Sequence, residues 1–389
     1  MSQAGSRDCF DAVVIGAGIV GAACAYYLSR AGFRVAVAEG GTVASGTTGA
    51  GEGNILVSDK EPGPELTLAL LSQRLWRELG DELGPGAELD AKGGLVVAAG
   101  PAEHASLREF AATQAAAGVR TETVPADGLP GLEPHLASGL AGGVFYPEDM
   151  QVQPMMTAAL LLRRARDLGA ELRLRHEVTG LETTAGRVTG VRTSAGLLGT
   201  GLVVNAAGTW AGEVAERAGV FLPVLPRRGF VVVTEALPVL IRHKVYTADY
   251  VANVASGSAG LEVSTVIEGT ASGTVLIGAS RERVGFDRSS SLRIVGLLAA
   301  QAARLFPVLA HARAIRFYRG FRPYCPDHLP VIGADDRLAG LLHACGHEGA
   351  GVGLAPATGQ LIAQLATGQE PSVPVEAFRP GRFAQAARG

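Results

Sequence analysis

Cysteine is scarce in this 389-residue chain, aromatic residues are only 5% of it, and neither sign of charge prevails. The four cysteines, Cys9, Cys24, Cys325 and Cys345, share no metal-ligand spacing and form no disulfide framework, so a reducing, cytoplasmic setting is expected and no metal centre. Lysine and arginine total 34 against 37 acidic residues, a net charge of -3. The densest basic pairs, Arg163-Arg164 and Arg227-Arg228, build no stripe, which argues against nucleic-acid binding. No uninterrupted apolar run reaches the ~20 residues of a membrane span, and the first residues lack the basic and apolar regions of a secretion signal. Glycine, by contrast, is abundant at 53 residues. The length exceeds the roughly 250–300 residues at which single cores stop growing, so two domains are expected.

The glycines are not spread at random. Residues 10–15, FDAVVI, suit a buried parallel strand, residues 19–31 a helix ending at Gly32, and residues 33–39, FRVAVAE, a second strand. Between the first strand and the helix lie Gly16, Gly18 and Gly21, spaced G-x-G-x-x-G. The first permits a tight turn, the second lets a pyrophosphate approach the backbone, and the third lets helix and strand pack closely. Phosphate then sits on the helix N-terminus, with Ala17 and Ile19 in the turn. Glu39 follows Gly21 by 18 residues, where a carboxylate meets an adenosine ribose. The ligand is NAD or FAD.

Two further glycine-rich loops favour FAD. Residues 41–56 supply hydroxyls at Thr47 and Thr48, and the Gly49–Gly53 region lets the backbone pass close to a flat ring. Glu52 is out of character in such a loop: a solvated charge or a group facing the active site. Residues 340–368 repeat the pattern, with Gly346, Gly349, Gly351 and Gly353 between a strand and a helix ending near Gly368. A helix N-terminus aimed at the cofactor can stabilise the negative charge of a reduced flavin.

These segments, with residues 177–211, resemble the FAD-dependent oxidoreductases of the D-amino-acid oxidase superfamily, in its glycine oxidase and D-amino-acid dehydrogenase branch. The stretches GTTGAGEGN and GHEGAGVGLAPATG are most similar to β subunits of D-hydroxyproline or proline dehydrogenases, opine oxidases and hydrogen cyanide synthase. The resemblance implies that Ala17, Gly18, Glu39 and Gly40 hold the ADP part, Thr47 and Thr48 the pyrophosphate side, and Val178 the adenine. It puts Ala207 and Gly208 beside the cofactor, and Glu52, Gly53 and Asn54 near the isoalloxazine, although Glu52 and Asn54 depart from the usual small and apolar residues. It puts His347, Glu348, Gly349, Ala350, Gly351 and Val352 under the flavin's pyrimidine edge. Arg322 matches the clamp for a substrate carboxylate, with Arg319 a weaker alternative. Cys325 lies downstream of the position at which some members attach flavin, so non-covalent FAD is expected.

The resemblance also implies an α/β fold: a discontinuous Rossmann-like FAD-binding domain from residues 9–85, 150–216 and 319–370, and a substrate domain on a mixed sheet from 86–149 and 217–318. The alternating runs GFVVVTE, LEVSTVIE and TVLIGAS suit that mixed sheet. The chemistry expected is oxidation of the C–N bond of a small amino acid or secondary amine, proline-like, D-hydroxyproline-like or glycine/sarcosine-like, by hydride transfer to flavin N5. A planar bidentate cation suits the substrate carboxylate, hence Arg322. His347 reads as a positioning donor more than a base, and Tyr246 and Tyr250 fall in a possible lid, residues 244–260. Electrons would pass to a partner subunit with a further redox centre, or, in a stand-alone oxidase, to oxygen. A non-catalytic FAD-binding relay subunit is the remaining alternative.

Overall fold

In the computed structural model, which describes residues 8–254 and 256–383, the first strand is Ala12–Ile15 and every residue in it is buried. Its alternate side chains serve two cores: Val14 packs into one with Ala12, and Val13 into the other with Ile15. A strand covered on both faces has no polar side to show, which is why AVVI and VAVAE read as continuous apolar runs. Residue 255, inside the expected lid stretch, lies outside the described residues.

Ala12–Ile15 sits inside a six-stranded sheet ordered Val331–Ala334, Leu341–Cys345, Val203–Asn205, Ala12–Ile15, Val35–Glu39, Glu171–Leu174. All neighbours are parallel except the first pair. Helices Ile19–Arg30, Pro154–Asp167 and Gly351–Thr367 cover one face. A four-stranded sheet covers the other: Asp8–Cys9, Gly196–Gly199, Arg187–Thr193, Val178–Thr184. Strand Glu171–Leu174 stops where Arg175 turns through a left-handed φ of +57°, and Val178 opens the next strand.

A separate eight-stranded mixed sheet runs Ala314–Tyr324, Leu225–Thr234, Val275–Arg281, Glu262–Gly269, Lys244–Thr247, Gly94–Ala98, Gly142–Tyr146, Glu122–Pro125. Only the Lys244–Thr247 and Gly94–Ala98 pair is parallel. Helix Leu292–Leu305 packs on it through Ile294, Leu298, Ala302 and Leu305, a spacing of three and four that presents one apolar face. Strand Ala314–Tyr324 belongs to this sheet throughout, so it straddles the expected boundary at 319 and carries Arg322 on its last turn of pleat.

Two glycines explain how close the elements come. A Cβ on Gly21 would lie 2.0 Å from the Gly16 carbonyl oxygen, so the first helix can rest on its turn only without a side chain there. A Cβ on Gly359 would lie 2.7 Å from the Ala23 carbonyl carbon, so the first and last helices touch backbone to backbone.

Candidate active site

A cavity of about 590 Å³ lies between the six-stranded and eight-stranded sheets, lined by the turn after Ala12–Ile15, the loop around 45–54, strand Ala314–Tyr324 and the turn before Gly351–Thr367. Three glycine-rich segments, the first and last more than 300 residues apart in the chain, therefore meet at one space.

At the first turn Gly16 has φ +105° and a Cβ there would lie 2.5 Å from the Ala206 carbonyl oxygen. Gly18, Ile19 and Gly40 line the cavity beside it. The Glu39 carboxylate holds this end together: Oε2 accepts the Ala17 N–H at 2.9 Å and Oε1 the Gly41 N–H at 2.7 Å. Val178, Ala207 and Gly208 also face the space, and the Arg217 guanidinium, itself in the lining, donates to the Val178 carbonyl.

The two threonines line the cavity, but their hydroxyls already have partners in the protein. Thr48 Oγ1 accepts the Ile19 N–H at 3.0 Å, at the start of the first helix, and Thr47 Oγ1 donates to the Phe321 carbonyl at 2.6 Å. One fastens the loop to the six-stranded core, the other to the strand that carries Arg322.

Of the expected site residues, Ala17, Gly21, Gly53, Ala350 and Tyr246 do not line this space. Gly53 is wedged against the Val152 carbonyl, 1.8 Å from where a Cβ would stand. The expectation of a lid tyrosine fails at Tyr246, which is fully buried in strand Lys244–Thr247 with its hydroxyl hydrogen-bonded to Ser58 Oγ. Tyr250 does face the cavity, with the Arg281 guanidinium 5.1 Å from its ring centre.

In the last turn His347 is buried, and its Nε2 lies 2.9 Å from Thr358 Oγ1, whose own proton goes to the Leu354 carbonyl. His347 Nε2 is thus the donor. Burial pulls its pKa down to about 3, so the ring is neutral near pH 7. Glu348 lines the cavity with φ +48°, yet its carboxylate is taken by Arg227 Nη1 at 2.5 Å and His328 Nδ1 at 2.9 Å. Burial alone would raise this carboxyl; His328 and Arg227 outweigh it and hold it below the ordinary carboxylate range. Gly349, Gly351 and Val352 complete this wall.

Arg322 faces the cavity, and its guanidinium makes one hydrogen bond among the described residues, Nη1 to the Ser280 carbonyl at 2.8 Å. A side chain at Gly229 would leave no room for it, since a Cβ there would lie 2.2 Å from Nη1. Arg319 has no place in the lining. Glu52 and Asn54 do: Asn54 Nδ2 donates weakly to Glu52 Oε2 at 3.4 Å, and Asn54 Oδ1 accepts from Lys244 Nζ, which also pairs with Glu268 at 2.5 Å. Cys325 is absent from the lining and fully buried, its thiol pushed by burial up to about 12.

Among the lining residues that sequence reasoning passed over are Trp210, Arg217, Arg288 and Phe321. Trp210 stacks on Phe286 at 5.5 Å and 12°, and Phe286 meets Phe321 edge-on. Phe321 and Trp210 each adjoin a motif already singled out; nothing in the sequence marks Arg288.

The residues fit an FAD: a glycine turn that a Cβ would fill, a helix N-terminus behind it, and a second helix N-terminus lining the same cavity. Residues 11–365 match the family model described as DAO, FAD dependent oxidoreductase, and the chain belongs to that family. It is an FAD-dependent oxidoreductase. Among curated relatives, it is 31% identical to hydrogen cyanide synthase subunit HcnC of Pseudomonas aeruginosa, over 96% of each chain, and 29% identical to glycine oxidase of Geobacillus kaustophilus, over 95% of this chain and 96% of that one. Among solved structures, L-proline dehydrogenase from P. horikoshii superposes with a TM-score of 0.89 at 25% identity, covering 98% of this chain and 99% of the other.

Proposed function

We propose that the protein oxidises the C–N bond of a small α-amino acid or cyclic secondary amino acid to the imine, which water hydrolyses or which remains as a ring. Proline-like, D-hydroxyproline-like and glycine- or sarcosine-like compounds are the substrates of choice. The observation that carries the proposal is Arg322: a cation in the cavity wall whose fork makes a single hydrogen bond among the described residues. A guanidinium in that state suits a carboxylate, which it binds bidentately. Bound FAD supplies the electron-pair acceptor. Arg322 would hold the substrate in place and Tyr250 would pack beside it, while neutral His347, fixed by Thr358, would line the cofactor's side of the cavity without adding charge.

The FAD would be held without a covalent bond, because Cys325 is packed in the core away from the cavity. Likeness to a protein named as a subunit of hydrogen cyanide synthase supports a partner subunit as electron acceptor; likeness to glycine oxidase supports oxygen. The sheets support a division of labour, with the six-stranded sheet serving the cofactor and the eight-stranded sheet the substrate.

The test is anaerobic: the FAD-loaded protein is mixed with glycine, sarcosine and both enantiomers of proline and hydroxyproline, and flavin bleaching is recorded. At least one is expected to bleach the wild type, and Arg322→Ala should raise the half-saturating concentration roughly 100-fold while keeping the flavin. No bleaching by any amino acid or amine contradicts the proposal. Unchanged activity of Arg322→Ala in an assembled complex would point instead to an electron-relay subunit.

A further inference from the structure

Glu52 has no part in binding a carboxylate, yet it stands in the same cavity wall as Arg322. Its Oε1 is buried and accepts no hydrogen bond from any described residue. Among the described residues its Oε2 has only the 3.4 Å contact from Asn54. Leaving a buried acceptor unused costs its desolvation without return, more so for a charged one, so such a group points to something that completes it. The neighbouring protein cation does not, because Lys244 gives its hydrogen bonds to Glu268 and Asn54. Nor does Arg322, whose only protein partner among the described residues is Ser280. Against Oε1 stands a glycine, Gly278, where a Cβ would lie 2.5 Å away. An acid and a guanidinium, neither in an ion pair among the described residues, therefore line one cavity without pairing with each other.

We propose that Glu52 is the amine-recognition residue of this site: its carboxylate binds the substrate ammonium and accepts one of its protons while Arg322 holds the carboxylate. An N–H bond breaks and a carboxyl O–H forms, and the electron pair of the broken bond stays on nitrogen as the lone pair of a neutral amine. The site thereby selects zwitterionic amino acids over carboxylic acids without an amine. This rests on the reading of Arg322 given above.

Titration of Glu52 bears on the pH dependence. The groups facing it are Lys244, Glu268, Arg322, Tyr250 and Tyr318, from four different elements. Burial pushes the carboxyl above its ordinary range; Lys244 opposes this, Glu268 adds to it, and Arg322 and Asn54 oppose it. Amine binding by the ionised form should thus strengthen as pH rises through a value higher than that of a free glutamate.

The experiment titrates the FAD-loaded protein, without oxygen, with ligand pairs alike except at nitrogen: proline against tetrahydro-2-furoate, and glycine against acetate. Flavin absorbance reports binding, and bleaching reports oxidation separately. Glu52→Gln is expected to raise the half-saturating concentration of the amino acids about 10-fold or more and to shift that of the paired carboxylates by less than about twofold. It should also remove the strengthening of amino-acid binding with pH. Glu52→Asp, which keeps the charge, should recover part of the loss. Equal weakening of both members of each pair, or no change in either, overturns the proposal. If no amino acid bleaches the flavin but the amine preference is present in the wild type and lost in Glu52→Gln, the recognition role stands and the oxidation reading falls.

Discussion

At the residue scale the core around the cavity is held by buried polar groups whose charge depends on pH. Asp149 is the clearest. It is fully buried, receives the Val57 N–H at 2.9 Å and the Ser58 hydroxyl, and is pushed by burial from 3.8 to about 7, against the lowering effect of those bonds. The folded value lies above the unfolded one, so this group's contribution to stability is full below about 3.8 and is lost as pH rises through about 7. Asp149→Asn cannot ionise, so its stability relative to wild type should improve steadily from pH 4 to 8, by a few kcal/mol in order of magnitude. Denaturant unfolding at a series of pH values checks this; parallel curves for the two proteins would refute it.

At the element scale the backbone contact between helices Ile19–Arg30 and Gly351–Thr367 brings the two ends of the site together. Gly359→Ala would force these helices apart at Ala23 and Tyr27. Overpacking of this kind destabilises by about 1–3 kcal/mol, and thermal unfolding of the apoprotein should show the loss; an unchanged melting temperature would mean that the helices can separate freely. These elements were legible in the sequence because their signals are local: apolar runs for the buried strands, Gly32 and Gly368 past the helix ends, three glycines in the first turn. The fate of individual polar side chains was not. Tyr246 bonds to Ser58, 188 residues away, and Thr47 to Phe321, 274 residues away. No spacing rule connects such partners, since their meeting depends on how two sheets are set against each other. Glu52 is the instructive middle case. Its oddness in a glycine loop was visible from sequence, whereas its unused acceptor needed Gly278 and Lys244 in place.

At the scale of the whole molecule, a buried ion-pair tie fastens the eight-stranded sheet to the last glycine turn of the cavity. Arg227, fully buried on strand Leu225–Thr234, binds Glu348 of the last glycine turn at 2.5 Å and Glu262 of strand Glu262–Gly269 at 2.9 Å. Glu348 lines the cavity and its carboxylate also ties the last glycine turn to the eight-stranded sheet; the ordered glycine motifs revealed the family and FAD but not this tie. We expect the glycine segments near either end of the chain to enclose one flavin without a covalent link. The most direct measurement is the visible absorbance spectrum of the purified protein, supplemented with FAD, before and after acid precipitation. The expected result is a yellow protein whose flavin bands pass wholly into the supernatant on denaturation. A colourless protein that leaves the fluorescence of added FAD unquenched would contradict the account.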